Sequence, residues 1–349
     1  MDPLKIDTVK LSPDGSALVI IDQTLLPNRV EYLSLTRTED IFEAIRSLRV
    51  RGAPAIGVAA GFGAYLAAKY APDEEMEERF YAACDDLAGA RPTAVNLFYA
   101  LNRTKKAMER ISGNVPSAVR EGLRAEAQAI MDEDIAISRA IGQHGLALLR
   151  PGMGILTHCN AGTLATAKYG TALAPVYAAL EAGMEGLRVY CDETRPLLQG
   201  ARLSAFEMLS AGVDTTLLCD NMASSLMKEG KVDIIFVGCD RVAANGDAAN
   251  KIGTSAVAIL AKHYGIPFYV CAPSSTIDMS LTSGTEIPIE HRAPEEVTEL
   301  WYEHRMAPEG VKVYNPAFDV TDAELITGII SEHGIAEAPY GPAFRGWGL

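Results

Sequence analysis

Apolar positions along the chain follow two different spacings, which change near residue 150. From residue 38 to about 148, apolar side chains recur every three to four positions in a stretch rich in Ala, Leu, Glu and Arg, as in amphipathic helices. After Pro151 the apolar runs are short: GILTHC, LRVYC, TTLLC, DIIFVGC, PFYVCA and VKVYN. Helical spacing follows near residues 162–182, 200–211, 221–229 and 250–264. The pattern predicts a helical part and then a part in which strands and helices alternate.

The alternation predicts an α/β fold. Strand–helix–strand units are right-handed, so we expect residues 149–349 to form a doubly wound, mostly parallel, Rossmann-like sheet. Residues 1–148 are expected to form a smaller, mainly helical N-terminal domain. Within that domain, residues 17–35 alternate and break at Pro27-Asn28, which predicts a short β hairpin.

Polar side chains stand where four of the predicted strands end. Ligands of doubly wound sheets bind beyond the carboxyl ends of the strands, so one crevice could receive all of these side chains. They are Cys159, Asp192, Glu193, Arg195, Asp220 and Asp240.

Composition narrows the classes of function. The 349 residues are 48% apolar and carry a net charge of -14, with no block of Lys and Arg, which argues against a nucleic-acid binder. The opening MDPLKIDTVK lacks the apolar core of a signal peptide, and the longest uncharged run, 52–68, is diluted by Gly and Ala. Six dispersed cysteines indicate reduced thiols. We therefore expect a cytoplasmic protein without membrane contact.

Several familiar sites are absent from the sequence. No G-x-G-x-x-G follows a strand, and neither a Walker A motif nor a G-x-S-x-G elbow occurs, which disfavours a nicotinamide enzyme, an ATPase and an esterase. His158 and Cys159 are neighbours on a predicted strand and should point to opposite faces, so we expect no metal site there.

The stretch RGAPAIG has the features of a phosphate site. Gly52 allows close approach of the backbone, and Arg51 precedes the free amide groups of a helix that Pro54 can start. The alternative is an ordinary helix start behind a surface arginine.

Three other stretches leave alternatives open. Cys159, before a Gly-containing turn and a predicted helix, could be a thiolate base or a small buried side chain. Gln199 could bind a sugar hydroxyl or be solvated, while Arg195 and Arg202 could bind phosphate or pair with carboxylates. The stretch VGCDRVAANGDAANKIGT, 237–254, is either a functional loop or a capped strand-to-helix connection.

Taken together, the motifs resemble the family of methylthioribose-1-phosphate isomerases. This family belongs to a superfamily with ribose-1,5-bisphosphate isomerases and regulatory subunits of a translation-initiation exchange factor. The resemblance covers residues 18–334 in order. It rests on RGAPAIG, RPTAVNLFYAL, THCNAGTLAT, DETRPLLQGARL, GCDRVAANGDAANKIGT, PSSTID and IPIEHR.

The resemblance implies a set of site residues. Cys159 and Asp240 would be the catalytic pair. Contacts to a sugar 1-phosphate would come from Arg51, Gly52, Ala53, Arg91, Gln199, Asn250 and Lys251. A homodimer is also implied. Since an aldose–ketose isomerisation is redox-neutral, we expect neither a metal nor another cofactor.

The chemistry of such a substrate explains a carboxyl group in the site. A sugar 1-phosphate is locked as a cyclic acetal, so its ring oxygen must be protonated before isomerisation. Asp240 would remain protonated if it lay in an apolar, water-poor crevice that raised its pKa. Asn250 and Lys251, expected at a helix start, would hold sugar hydroxyls.

Two rivals remain at this stage. The substrate could be 5-deoxyribose 1-phosphate or ribose 1,5-bisphosphate, because the pocket for C5 cannot be identified from the sequence. The chain could instead be a non-catalytic regulatory subunit, although the presence of Cys159 and Asp240 together with Asn250-Lys251 argues against that role.

Overall fold

The computed structural model describes residues 6–91 and 94–349. The strands in these residues are β1 (Val9–Leu11), β2 (Leu18–Ile21), β3 (Tyr32–Leu35), β4 (Gly154–Thr157), β5 (Arg188–Asp192), β6 (Asp214–Leu218), β7 (Ile234–Val237), β8 (Arg241–Ala243), β9 (Ala248–Lys251), β10 (Phe268–Cys271), β11 (Ile277–Asp278), β12 (Phe318–Thr321), β13 (Gly328–Ser331) and β14 (Gly334–Ala336). The α-helices are α1 (Thr38–Arg46), α2 (Ala53–Tyr70), α3 (Met76–Ala88), α4 (Val95–Ile111), α5 (Pro116–Leu146), α6 (Ala174–Glu181), α7 (Ala205–Ser210), α8 (Ala223–Lys228), α9 (Thr254–Tyr264), α10 (Glu295–Thr298) and α11 (Tyr340–Gly346).

The C-terminal part is built on a seven-stranded sheet with the order β14-β13-β10-β7-β4-β5-β6. The strands run parallel except for β14, which pairs antiparallel with β13 at the edge. β4, β7 and β13 are buried along their whole length, as expected for strands covered on both faces. The predicted α/β fold with a mostly parallel sheet is confirmed.

The order of the strands reverses at β4. The chain moves from β4 to β5 and β6 on one side, and then returns to place β7 on the other side of β4. In doubly wound sheets such a reversal opens a crevice at the carboxyl ends of the two central strands. Cys159 follows β4 and Asp240 follows β7, so both predicted catalytic residues border the reversal.

A second sheet, with the order β11-β8-β9-β12, was not predicted from the sequence. β8 and β9 form an antiparallel hairpin around Asn245-Gly246, a dipeptide that favours hairpin turns. The prediction of a helix from residue 250 is therefore wrong at its start. Asn250 and Lys251 lie on β9, and α9 begins only at Thr254, after Gly253 in the left-handed region at φ 101°.

The N-terminal part combines a small sheet with helices. β1, β2 and β3 form an antiparallel sheet, which confirms the predicted hairpin and adds one strand to it. α2 is buried from Ala55 to Leu66 and packs against the other helices of this part. Although α2 is apolar, no helix in the described residues is long and apolar enough to cross a membrane.

Two further predicted elements differ from the structure. The helix expected over 162–182 is reduced to α6, because residues 162–173 form a short 3-10 turn and irregular chain. VKVYN forms no strand; the strand in this region is β12, which starts at Phe318. Near the C-terminus, where no element was predicted, the chain forms α11, whose Tyr340 and Phe344 are buried.

Contacts divide the chain into two compact units. A sheet unit comprises Arg139–Ala161 and Thr171–Leu349, and a helical unit comprises the described residues up to Ser138 together with Gly162–Gly170. Gly162–Gly170, which begins three residues after Cys159, therefore belongs to the helical unit. A single domain boundary near residue 148 stays a prediction.

We predict that Tyr340→Phe lowers the free energy of unfolding. The Tyr340 hydroxyl donates a hydrogen bond of 2.6 Å to the carbonyl of Ile326, and its side chain is buried. Removing the hydroxyl leaves a buried acceptor without its donor, at a cost of about 1–3 kcal/mol. Urea unfolding should show the loss, whereas Tyr314→Phe, at a site 81% exposed, should show none. Equal stability of both variants would contradict this role.

Candidate active site

Cys159 lies two residues beyond β4 in an unusual backbone conformation. Its φ is 65°, in the left-handed region that non-glycine residues rarely adopt. Two hydroxyl groups hold this peptide: the Cys159 N–H donates to Thr194 Oγ1 at 2.8 Å, and Ser204 Oγ donates to the Cys159 carbonyl at 2.7 Å. Such a conformation persists where its surroundings fix it, and here the segment after β5 does so. The side chain is half-buried.

The helix predicted to follow Cys159 is absent from the structure. Cys159 was predicted to precede a helix whose amide groups could lower its pKa. The chain after it forms only the short 3-10 turn Thr163–Ala165, and the next α-helix is α6. A thiolate at Cys159 would therefore need another source of stabilisation.

A buried polar network fixes the residue after Cys159. The Asn160 amide donates to Ser204 Oγ at 3.1 Å and to Glu207 Oε1 at 3.0 Å, while the Tyr177 hydroxyl donates to Glu207 Oε2 at 2.9 Å. Glu207 is fully buried. Burial, together with the charge of Glu207, raises the pKa of Tyr177 well above its usual value, so the phenol stays a donor.

Asp240 lies between β7 and β8, next to the β8–β9 hairpin. Its N–H donates to the Ala249 carbonyl at 2.9 Å, and the register pairs Arg241 with Ala249. Continuing that register places Asp240 opposite Asn250. The side chain of Asp240 is exposed, so the expected water-poor surroundings are not supplied by the chain. The neighbouring Cys239 is different: burial raises the pKa of its thiol to about 12.

Asn250 and Lys251 present buried polar groups on β9, with exposures of 6% and 9%. The Asn250 amide donates to Thr254 Oγ1 at 3.0 Å. Lys251 Nζ donates to the Ala317 carbonyl at 3.0 Å and lies 4.2 Å from the centre of the Phe318 ring. The strand, its neighbour β12 and α9 together fix both side chains.

Gln199 offers an unused acceptor in the segment after β5. The residue is 7% exposed, and Oε1 has no hydrogen-bond partner in the described residues. The solvated alternative is wrong, because only 7% of the residue is exposed. Arg195 and Arg202 stack on aromatic rings, Arg195 on Tyr302 at 5.5 Å and Arg202 on Trp301 at 4.5 Å.

Among the residues that the structure describes, one group of side chains has the spacing of a metal site. Ligand atoms of His158, Asp192 and Asp220 lie within 4.8 Å of one another. His158 Nδ1 and Asp192 Oδ2 are hydrogen-bonded at 3.0 Å, and the two oxygens of Asp220 accept the N–H groups of Thr194 and Arg195 at 2.7 and 2.8 Å. Hydrogen bonds within the protein thus account for the group.

The predicted phosphate residues lie in the helical unit. Gly52 has φ 90°, and a Cβ there would come within 2.2 Å of the Ala165 carbonyl oxygen, so only glycine fits. Arg51 Nε donates to Gln23 Oε1 at 3.2 Å, and Gln23 Nε2 donates to the Leu164 carbonyl at 2.8 Å. These two hydrogen bonds hold the Arg51 side chain in place just before α2.

Ala53 and Arg91 are the other residues predicted in this unit. Ala53 is the first residue of α2 and, like Arg91, is half-buried. Pro92 and Thr93 of the motif RPTAVN lie outside the described residues.

Known proteins resemble this chain over almost its whole length. The sequence profile of the initiation factor 2 subunit family matches residues 49–338. The chain belongs to this family. A methylthioribose-1-phosphate isomerase of Symbiobacterium thermophilum is 63% identical over 341 residues, 97% of this chain and 95% of that protein. A 5-deoxyribose 1-phosphate isomerase of Petrotoga mobilis is 56% identical over 335 residues, 95% and 96% of the two chains.

Solved structures of family members have the same fold. The 5-methylthioribose 1-phosphate isomerase from Pyrococcus horikoshii OT3 matches with a TM-score of 0.93 and 44% identity, covering 99% of this chain and 96% of that one. The translation initiation factor eIF-2B subunit delta from A. fulgidus matches with a TM-score of 0.89 and 41% identity, covering 96% and 97%. The predicted family resemblance is confirmed, and this family contains both isomerases and proteins named as initiation factors.

Sequence reasoning missed the side chains that support the site. Thr194, Ser204 and Glu207 fix the backbone around Cys159. Thr194 lies within the motif DETRPLLQGARL, but nothing in its spacing indicated a contact with Cys159, and Ser204 and Glu207 lie outside the motifs. The Asn-Gly pair at 245–246 was a readable signal for the β8–β9 hairpin, which carries Asn250 and Lys251.

We predict a pH-dependent stability difference for Asp134→Asn. Burial raises the pKa of the Asp134 carboxyl to about 7, although the Ala167 N–H donates to it at 2.6 Å. Folding then takes up a proton between about pH 4 and pH 7, so native stability falls as pH rises through this window. Asn keeps the acceptor without the charge, and the variant should have a higher urea midpoint at pH 8 than the native chain.

The difference between native and variant should shrink as pH falls to about 4 and below, where the native carboxyl is protonated and the unfolded carboxyl also gains its proton. Asp132→Asn, at an exposed position of the same helix, should show no such trend. A constant difference at all pH values, or a less stable Asn variant at pH 8, would contradict the assignment.

Proposed function

We propose that the chain is an aldose–ketose isomerase that converts 5-methylthioribose 1-phosphate to 5-methylthioribulose 1-phosphate, a step of methionine salvage. One observation carries the proposal: Cys159 and Asp240 follow the two central strands on either side of the reversal in strand order, and β9 places Asn250 and Lys251 beside Asp240. High identity to enzymes named for this reaction supports the choice of substrate.

Asp240 is assigned the first step, ring opening. Its carboxyl proton passes to the ring oxygen as the bond from that oxygen to C1 breaks. The side chain is exposed, so the chain itself does not shield it from water. We propose that the bound sugar covers the carboxyl and removes it from water, which raises the pKa of a carboxylic acid.

Cys159 is assigned to the transfer of hydrogen from C2 to C1. In one route its thiolate removes the C2 proton and returns it to C1 through an enolate; in the other a hydride moves directly from C2 to C1 and Cys159 stabilises the developing charge. In both routes the proton of the C2 hydroxyl passes to the Asp240 carboxylate left by ring opening, as the C2 ketone forms. Both routes are internally redox-neutral and use no cofactor. Either route requires Cys159 at a defined position, and the hydrogen bonds to its peptide hold the residue there.

Polar side chains of the sheet unit would bind the sugar. Gln199 Oε1 is a buried acceptor suited to a hydroxyl donor, and Asn250 is a second amide on β9. Lys251 would balance charge near the carboxylate of Asp240. Phosphate contacts from Arg51, Gly52, Ala53 and Arg91 stay part of the proposal, and they would supply binding energy away from the reacting carbons.

A second candidate substrate is 5-deoxyribose 1-phosphate. Relatives named for that isomerase are 50–56% identical to this chain, against 58–63% for those named for methylthioribose 1-phosphate. The two sugars share the reacting carbons, so the catalytic assignments hold for either. We also expect a cytoplasmic homodimer that binds neither nucleic acid nor membrane; sedimentation analysis of the purified protein tests the dimer.

Replacement of either catalytic residue should remove most of the activity. For Cys159→Ser and Asp240→Asn we expect kcat to fall by about 10²–10⁴-fold with a smaller change in KM, since each variant keeps its size but loses its acid or base. Cys219→Ser and Asp214→Asn make the same chemical changes at exposed positions and should retain native kcat. A folded catalytic variant with near-native kcat would remove that residue from the mechanism.

We expect kcat/KM to differ among three substrates according to the substituent at C5. We expect 5-methylthioribose 1-phosphate to exceed 5-deoxyribose 1-phosphate by about 10-fold or more, because each apolar group accepted by a pocket is worth about 1–3 kcal/mol. Ribose 1,5-bisphosphate should be poorest, since a second phosphate needs further cationic partners in a chain of net charge -14. Equal or better turnover of the deoxy sugar would favour the second candidate.

A further inference from the structure

His158 is a buried histidine whose two ring nitrogens both face acceptors. The residue is 1% exposed and its partner Asp192 is fully buried. Nδ1 lies 3.0 Å from Asp192 Oδ2, and Nε2 lies 2.8 Å from the carbonyl oxygen of Ile252. None of the steps assigned above uses this pair.

The geometry fixes how many protons the pair carries. A carbonyl oxygen can only accept, so Nε2 must carry a proton. A second proton must lie between Nδ1 and Asp192 Oδ2, because two acceptors at 3.0 Å would otherwise repel each other. The pair therefore holds two protons and is neutral overall, either as imidazolium and carboxylate or as imidazole and carboxylic acid.

The surroundings favour the proton on the imidazole. Burial opposes a charge on His158, but the hydrogen bond and charge of Asp192, with a further contribution from Asp220, outweigh burial and raise its pKa. Burial also raises the pKa of Asp192, which pulls the shared proton the other way. Imidazole is ordinarily the stronger base by about 2.6 pKa units, and Asp319, the other nearby carboxyl, also favours a cation at His158.

His158 connects three segments that carry the proposed site. It adjoins Cys159 in sequence, its partner Asp192 ends β5 before the segment with Gln199, and Ile252 follows Lys251 directly. The imidazole also fills the space over Gly253, where a Cβ would lie 2.8 Å from its Cε1. A change in its hydrogen bonds would therefore shift both the strand end with Cys159 and the peptide after Lys251.

We infer that His158 is a positioning residue, held as an imidazolium between Asp192 and the Ile252 carbonyl, that sets the relative placement of Cys159 and Lys251. The Asp192 carboxylate balances the charge of the imidazolium, so the pair is neutral overall. His158 therefore acts through its hydrogen bonds and not through a net charge. The inference rests on the proposed isomerase function for its effect on turnover, whereas the protonation state of the pair stands independently of that function.

The protonation state can be measured directly in the native protein. In a chain labelled with ¹⁵N-histidine, the two ring nitrogens of an imidazolium resonate close together, while those of a neutral tautomer are widely separated. The His158 signals, identified by their loss in His158→Gln, should show the imidazolium at about pH 7.5, above the usual histidine pKa of about 6.5. In Asp192→Asn the counter-charge is gone, and His158 should become neutral.

Turnover tests the positioning role. His158→Gln cannot donate to both acceptors, so kcat should fall by about 10²-fold, the effect of a misplacement near 1 Å, with a smaller change in KM. His263→Gln, the same substitution on the exposed face of α9, should leave both kcat and the His158 signals unchanged. Circular dichroism and urea unfolding establish that each variant is folded.

The outcomes separate the two claims. An inactive native chain would overturn the proposed function, while the ¹⁵N signals would still decide the state of the pair. A neutral His158 in the native chain at pH 7.5, or a folded His158→Gln with native kcat in an active enzyme, would overturn the inference. If His158→Gln does not fold, Asp192→Asn supplies the same test, with a neutral ring and lowered kcat expected.

Discussion

The reversal of strand order between β4 and β7 is the constraint on which the rest of the site depends. Parallel strands that wind in opposite directions from the middle of a sheet leave a crevice at their carboxyl ends. In this chain, one proposed catalytic group follows each central strand, Cys159 two residues after β4 and Asp240 three residues after β7. The sheet thus brings together groups that lie 81 positions apart in sequence.

The strand ends alone do not explain how the side chains are held. Cys159 has a left-handed backbone, and the hydroxyls of Thr194 and Ser204 fix the peptide on both sides. After β7, the chain enters the small second sheet directly after Asp240. Strand β9 of that sheet carries Asn250 and Lys251. Each catalytic group therefore has a backbone fixed by hydrogen bonds, which limits the reorganisation that a reaction would require.

The sequence predicted the architecture better than the details of the site. Spacing of apolar residues was sufficient for the parallel sheet, because buried strands such as β7 are continuous apolar runs. It failed at Asn250 and Lys251, which were read as a helix start; pairing with Asp319 and Phe318 of β12 keeps them in a strand. It failed again after Cys159, where long-range contacts with Gln23 and Asp134 replace a local helix. Exposure of Asp240 also depends on tertiary structure, and no local pattern encodes it.

The central claim is that the crevice at this reversal isomerises a sugar 1-phosphate, and the most direct measurement follows the sugar itself. Purified chain is incubated with 5-methylthioribose 1-phosphate labelled with ¹³C at C1 and C2, without added metal or nucleotide, and carbon NMR records the products. The account predicts loss of the anomeric signal and growth of a ketone signal at C2. An unchanged spectrum, from protein shown to be folded, would contradict the account and favour a regulatory subunit.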